Sequence, residues 1–331
     1  MNEQQEQEEW EAQLYENLQT SFIHIGRDAT GLVIDGASAK QRHGLVLISG
    51  HDNSNNGSTS TEIYDYTNDS VRKGPDMKVS RCNQASVSLP SGDVAVFGGY
   101  NSNMNPRELS SCEVFNVKSN SFTEIGNMIE RRQAPAAVSL PNGLVLIIGG
   151  HDGSKYLNSC EFYNPADKKF SPSKAKMSVG RYGHTASLLP NGKVLVCGGS
   201  DGSDYLQTTE IYDPSTDSFS AGPSMTTKRY YLTATTLPDG RVLLAGGKNN
   251  ASFNSTEIYD PTSNSFSAGA KMVVARFGHF SALLPDGRVL IGGGWSHESK
   301  QTTEIYDPWT NSFSKDRCLL EERQNASACL F

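Results

Sequence analysis

Six arginines recur along the chain at one spacing, Arg81, Arg132, Arg181, Arg229, Arg276 and Arg323, and six glutamates keep step with them, Glu62, Glu113, Glu161, Glu210, Glu257 and Glu304. A ring of guanidiniums could receive an anion or an acidic peptide through charge-assisted, bidentate hydrogen bonds. A residue present in every copy answers a need of every copy, however, and six unpaired like charges would repel one another. The glutamates offer the structural alternative, each Arg neutralised inside its own copy, and this is the reading we prefer. Histidines suggest a second chemistry. His51-Asp52 and His151-Asp152 follow the glycines of two copies, and His184 and His279 share a place in two others. A metal site needs three or four convergent ligands, and these histidines fall in separate copies. The expectation is loop histidines for the first pair, buried strand histidines for the second, and neither a metal site nor a cofactor. No nucleophile elbow or comparable local signature marks a catalytic serine or cysteine.

The elements that must position these residues are legible as a repeat. "TTEIYDPSTDSFSAG" at 208–222 returns as "STEIYDPTSNSFSAG" at 255–269 and "TTEIYDPWTNSFSKD" at 302–316. A glycine pair recurs at Gly99, Gly150, Gly199, Gly247 and Gly294, with "SG" at Gly50 in the first copy. Each copy splits into four short strands. The first, such as "GHTASLL" at 183–189 or "NASACL", is built of small residues, as expected where strands converge on a narrow axis. A turn of the type "LPDG" follows, in which Pro presets one angle and Asp-Gly tolerates the reversal. The second strand, "VLVCGG" or "VLIIGG", is apolar throughout, so both of its faces must be covered. The third carries "TEIYD" and the fourth an aromatic, Phe122, Phe170, Phe219, Phe266 or Phe313. Four antiparallel strands in each of six copies predict an all-β fold, a six-bladed β-propeller. The end, "RQNASACLF" at 323–331, reads as a first strand without its followers, and the first copy has no first strand of its own. We therefore expect the C-terminal strand to close blade 1, although "GLVIDGAS" within 22–43 competes for that slot.

The glycine pair, the third-strand Tyr, the later aromatic and the Met-x-x-x-Arg before the first strand resemble kelch repeats over about residues 44–331. The departures are Phe where such repeats usually carry Trp, and "SG" and Val71 in the first copy. The resemblance implies a binding face made by the loops after the second and fourth strands. In kelch adaptors the peptide-contacting positions are similar to those just after the recurrent Arg: here Cys82 and Asn83, Gln133, Tyr182, Tyr230 and Tyr231, Phe277, and Gln324 and Asn325. The loops after the glycine pairs add Tyr100, His151, Asp152, Tyr156, Asp201, Tyr205 and Trp295. Variable loops on a regular scaffold are where binding usually resides, and aromatics there suit a peptide or a sugar. The resemblance thus implies a protein-interaction module for an unidentified protein or peptide. Its alternative is a cofactor-independent, sugar-active enzyme like the kelch sialic-acid mutarotases. Resemblance to the kelch-type copper enzyme galactose oxidase stops at the scaffold.

Composition narrows the partners. A formal charge of −7 and a pI near 5.5 give no general attraction for phosphate backbones, which argues against nucleic acid. No run approaches the roughly 20 apolar residues of a membrane-spanning helix, and the acidic start "MNEQQEQEEWEAQLYENLQ" lacks the features of a signal peptide. A cytoplasmic protein is expected. Residues 1–21 are read as an acidic segment with a short amphipathic helix at Trp10, Leu14 and Leu18, and 22–43 as an irregular lead-in. Six cysteines without CxxC spacing read as reduced thiols, with Cys112 and Cys160 as half-buried strand residues.

Overall fold

The computed structural model describes residues 44–50, 57–296 and 298–331. The expected N-terminal helix and lead-in, and His51-Asp52, lie outside them. Blade 1 contains β1 (Leu45–Ser49), β2 (Thr61–Asp65) and β3 (Ser70–Lys73). Blade 2 runs through β4 (Ala85–Ser88), β5 (Val94–Phe97), β6 (Ser111–Asn116) and β7 (Ser121–Asn127). Blade 3 comprises β8 (Ala136–Ser139), β9 (Val145–Ile148), β10 (Ser159–Asn164) and β11 (Lys169–Lys176). Blade 4 comprises β12 (Thr185–Leu188), β13 (Val194–Cys197), β14 (Thr209–Asp213) and β15 (Ser218–Ala221). Blade 5 holds β16 (Thr233–Thr236), β17 (Val242–Ala245), β18 (Thr256–Asp260) and β19 (Ser265–Ala268). Blade 6 holds β20 (Phe280–Leu283), β21 (Val289–Gly292), β22 (Thr302–Asp307) and β23 (Ser312–Cys318), and the chain ends on β24 (Ser327–Leu330).

Each sheet is a four-stranded antiparallel blade, and β24 pairs with β1 to give the order β24-β1-β2-β3. Ser327 to Leu330 lie opposite Ser49 to Val46. The ring is thus closed by its two ends, as the orphan first strand predicted. The six first strands touch their neighbours around the axis, and their hydroxyls bridge blades: Ser139 donates to the carbonyl of Ser88 at 2.6 Å and Thr236 to that of Leu188 at 2.7 Å. Small side chains fit there because the backbones must approach. The second strands are buried on both faces in every blade, and their side chains form the clusters packed between adjacent blades.

Register corrects one alignment. Ser49 pairs with Thr61 as Phe97 pairs with Cys112, so Gly50 occupies the place of Gly98, the first glycine of a pair, and not that of Gly99. The first glycine has a left-handed backbone, φ 59° at Gly98, and a Cβ there would strike the carbonyl of Arg132 in the next blade. The second donates its N–H to that same carbonyl, Gly99 to Arg132 at 2.9 Å and Gly150 to Arg181 at 2.8 Å. The glycine pair is therefore an inter-blade joint. A second correction concerns Cys112 and Cys160, which are fully buried, because the third strand enters the space between blades where half-burial was expected. Burial pushes both thiols up to about 12, and all six cysteines are free.

Candidate interaction face

The recurrent arginines are scaffold. Each is buried and paired with the glutamate of its own blade: Arg81–Glu113 at 2.8 Å, Arg132–Glu161 at 2.7 Å, Arg181–Glu210 at 3.0 Å, Arg229–Glu257 at 3.0 Å, Arg276–Glu304 at 3.1 Å and Arg323–Glu62 at 2.7 Å. Each also donates to the carbonyl of the first glycine, Gly98, Gly149, Gly198, Gly246, Gly293 or, at the seam, Gly50. The glutamate's other oxygen accepts the N–H of the residue following a buried Met or Leu, as at Ile129 and Leu320. A buried charge already neutralised by a carboxylate and bonded to a backbone carbonyl has little left to offer a ligand.

The functional geometry starts two residues later. Asn83, Ala134, Gly183, Tyr231, Gly278 and Asn325 all have φ between 46° and 62°. Their backbones form a closed ring, each N–H donating to the preceding blade: Asn83 to Asn325 (3.0 Å), Ala134 to Asn83 (2.8 Å), Gly183 to Ala134 (3.3 Å), Tyr231 to Gly183 (2.9 Å), Gly278 to Tyr231 (2.9 Å) and Asn325 to Gly278 (2.7 Å). Gly and Asn accept this conformation readily, whereas a bulky residue is strained in it by roughly 1–2 kcal/mol. Tyr231 is that residue, and its ring lies over Gly183 of the neighbouring blade.

Around this ring the loops after the second and fourth strands pair with each other, Cys82 with Tyr100, Gln133 with His151, Tyr182 with Ser200 and Tyr230 with Lys248. They hold an aromatic shelf across blades 3 to 6. Tyr182 is its hub: its hydroxyl bonds that of Tyr231 at 2.6 Å and accepts from Gln133 at 3.0 Å, and its ring meets His151, Tyr156 and Tyr230. Tyr205 stacks on Tyr230 at 5.1 Å. The Lys248 ammonium lies 4.4 Å from the centre of the Phe277 ring, which is stacked on Trp295 at 6.3 Å. Burial raises the ionisation of Tyr182, Tyr230 and Tyr231 above the ordinary phenol range, so the cluster is neutral and its hydroxyls can both donate and accept.

The sequence-derived residues divide. Asn83, Gln133, Tyr182, Tyr230, Tyr231, Phe277, Trp295 and Asn325 converge on the central mouth or the shelf, with His151, Tyr156 and Tyr205 on its outer part. Tyr100 is half-buried in a bridge between Cys82 and Glu108. Asp152 and Asp201 hold their own loops, each accepting two N–H groups and a serine hydroxyl through one oxygen. Cys82 and Gln324 are buried. Sequence reading missed Lys248, which stands directly after a glycine pair, as Tyr100, His151 and Trp295 do. At the centre is a pocket of about 100 Å³ bordered by Asn83, Gln84, His184, Tyr231, His279 and Asn325. Gln84 donates to the Ser49 carbonyl at 2.7 Å, and its Oε1, like Oδ1 of Asn83 and of Asn325, has no hydrogen-bond partner among the described residues. Among the described residues no cluster of His, Cys, Asp and Glu could hold a metal ion.

A closed ring of six four-stranded blades with a glycine joint and a buried Arg–Glu pair in each defines a kelch-type propeller. The Kelch motif profile matches residues 81–129, 134–174, 181–226 and 229–273, more than half of the sequence, and the chain belongs to the kelch-repeat family. It is similar to two proteins of Caenorhabditis elegans: "Kelch repeat and BTB domain-containing protein F47D12.7", 30% identical over 43% of this chain and 24% of that protein, and "Kelch repeat-containing protein kel-10", 28% identical over 38% and 22%. The matched region thus spans about a quarter of the length of these relatives. Among solved structures, YjhT is similar with a TM-score of 0.66 and 14% identity over 77% of this chain and 89% of that one. A fungal alcohol oxidase of the AA5 family, in complex with copper, gives 0.61 and 18% over 85% and 64%. At these identities the likeness shows the fold alone. Among the described residues no helix is long and apolar enough to cross a membrane.

Proposed function

We propose that the propeller is a protein-interaction module that holds a segment of a partner protein across the face of irregular loops. The observation that carries this reading is the continuous shelf Tyr156–Tyr182–Tyr230–Tyr205, extended by Lys248, Phe277 and Trp295. Aromatic side chains of this kind give large contact area at low conformational cost and dominate binding hot spots. Asn83, Tyr100, Gln133 and Asn325 supply the polar side of the same face. The central pocket, about 100 Å³, is well below the roughly 300–1,000 Å³ of small-molecule sites, which favours a ligand lying across the mouth. The strained backbone of Tyr231 supports the same location, since such strain gathers at ligand-holding positions. A cytoplasmic setting belongs to this proposal, and free thiols suit it.

The sugar-active alternative would draw on the two imidazoles at the pocket, His184 and His279. Burial pulls both down to about 3, which makes them weak bases near neutral pH. A displayed-peptide selection against the full chain tests the choice, with a Tyr182→Ala/Tyr230→Ala/Trp295→Ala variant of confirmed folding as counter-target. Peptides should be enriched on the wild type and lose at least 30-fold in affinity on the variant, the equivalent of one hot spot of about 2 kcal/mol. Peptides that bind both equally, or a selection that yields none while a glycan array yields ligands, would overturn the proposal.

A further inference from the structure

The ring of left-handed residues around the axis differs from blade to blade in what it presents to the central pocket. Blades 3, 4 and 6 place Ala134, Gly183 and Gly278 there, and blade 5 places Tyr231. The seam and blade 2 place two carboxamides on neighbouring positions, Asn325 and Asn83, whose backbones are bonded at 3.0 Å. A third carboxamide, Gln84, follows Asn83 and borders the same pocket. The left-handed backbone accounts for Asn at the two ring positions. It does not account for Gln84, nor for the hydrogen bonding of the three amides.

Two of them have their nitrogens engaged, and all three keep an open oxygen. The Gln84 amide nitrogen donates to the Ser49 carbonyl at 2.7 Å and the Ser327 hydroxyl at 3.2 Å, and that of Asn83 to the Cys82 sulfur at 3.7 Å. Oε1 of Gln84, a residue only 6% exposed, and Oδ1 of Asn83 and of Asn325 are buried with no hydrogen-bond partner among the described residues. Buried acceptors are costly to leave unpaired, so three around one pocket call for a donor. The ring does not supply it, since each of its N–H groups is bonded to the carbonyl of the preceding blade.

The surroundings restrict the kind of donor. Among the described residues no Asp, Glu, Lys or Arg borders the pocket. An ammonium would therefore enter without a counter-charge, and the charges that act on the neighbouring imidazoles are those of Arg181 and Arg132 at His184 and Arg276 at His279. A carboxylate would set its lone pairs against three amide oxygens. A neutral –NH2 group offers two hydrogens and no charge. The volume, about 100 Å³, is roughly three times the 30 Å³ that a water occupies in the liquid, room for the methylene and carboxamide of one side chain.

We propose that the central pocket is a socket for a primary carboxamide, filled by an Asn or Gln side chain of the partner segment, its N–H groups directed to the amide oxygens of Asn83, Gln84 and Asn325 and its own oxygen to the mouth. The source of the carboxamide rests on the interaction reading above; the chemistry of the socket is tested without a partner. Acetamide, acetate and methylammonium are titrated into the isotope-labelled full chain, and the side-chain amide signals are followed. Acetamide should shift those of Asn83, Gln84 and Asn325 saturably, with a Kd on the order of 10 mM or tighter for so small a probe. The two ions should bind about 10-fold more weakly or worse. Asn83→Gly/Asn325→Gly keeps residues suited to the left-handed backbone, as at Gly183 and Gly278. It should retain the fold and weaken acetamide about 10-fold or more, read at Gln84.

Peptides selected on the wild type should carry Asn or Gln at one invariant position, and changing it to Asp or Glu should cost about 10-fold or more. Peptides that depend on Tyr182, Tyr230 and Trp295 but lack such a position would leave the interaction face standing and overturn the socket. If no peptides emerge, the interaction reading falls and the acetamide titration alone decides the socket. Acetamide that fails to saturate, binds no better than the ions, or binds the glycine variant equally well overturns the proposal whatever the peptides do.

Discussion

His184 and His279 lie in equivalent places, one residue before the inner strands β12 and β20 where strand positions were expected, and are 6% and 5% exposed. Burial, reinforced by Arg181 and Arg132 around His184 and by Arg276 beside His279, pulls both imidazoles down to about 3. In the unfolded chain they titrate near 6.5. Between pH 6.5 and 3 the unfolded chain therefore holds protons that the folded protein refuses, so stability falls as pH falls through that window. The slope reaches at most about 1.4 kcal/mol per pH unit for each histidine. Denaturant midpoints at pH 7, 6 and 5 should decline in step, and a His184→Gln/His279→Gln protein should show a flatter decline. An equal slope in both proteins would remove the imidazoles as its cause. The burial of these histidines was legible because each leads directly into an inner strand. The Arg–Glu pairing was legible because both residues recur in all copies. The ring beside them left a signal that went unread: Gly twice and Asn twice at one position mark a left-handed backbone. Tyr231 hid that pattern, since side-chain chemistry alone does not announce a strained backbone.

At the scale of elements, the seam concentrates the risk of the fold. β24 supplies the inner strand of blade 1, and Asn325 supplies two of the six bonds in the backbone ring, donating to Gly278 and accepting from Asn83. A chain ending at Gln324 would expose β1 as a long apolar edge, an invitation to pair with another chain. We expect such a truncation to lower the thermal midpoint and to associate on size-exclusion chromatography, and a synthetic peptide of residues 323–331 added in excess to restore a monomer. A truncated monomer with an unchanged midpoint would show that β24 is dispensable. Strand order and closure could be read from sequence because each blade repeats its periodic text and the ends complement each other. The alignment of Gly50 could not, because "SG" fits either glycine position until the pairing of Ser49 with Thr61 fixes the register. The loops of the face were legible only as irregular, because their contacts join different blades: Tyr182 to Tyr231, and Lys248 to Phe277.

For the molecule as a whole, closure changes how a local defect is felt. In an open array each repeat contacts only its neighbours and the terminal repeats are the weakest, so identical defects differ in effect with position. Here every blade has two neighbours, including blade 1, whose sheet joins both ends of the described propeller. The six Arg–Glu pairs are equally buried, but Arg132 also meets Glu130 at 3.1 Å and Arg323 meets Glu321 at 2.9 Å, so a glutamate-to-glutamine change leaves a fully uncompensated guanidinium only in the other four blades. Breaking such a pair costs about 3–5 kcal/mol. Glu257→Gln in blade 5 should lower stability within that range. Glu62→Gln at the seam and Glu161→Gln in blade 3 should each cost less and by similar amounts, because Glu321 and Glu130 remain beside their arginines, and each variant should leave a single calorimetric transition. Because hydrogen bonds and apolar clusters run across every blade boundary, no blade can loosen without its neighbours losing contacts, which is the physical source of the single transition. A separate early transition in Glu62→Gln alone would mean that the seam opens independently and that the propeller behaves as a linear stack whose ends happen to meet.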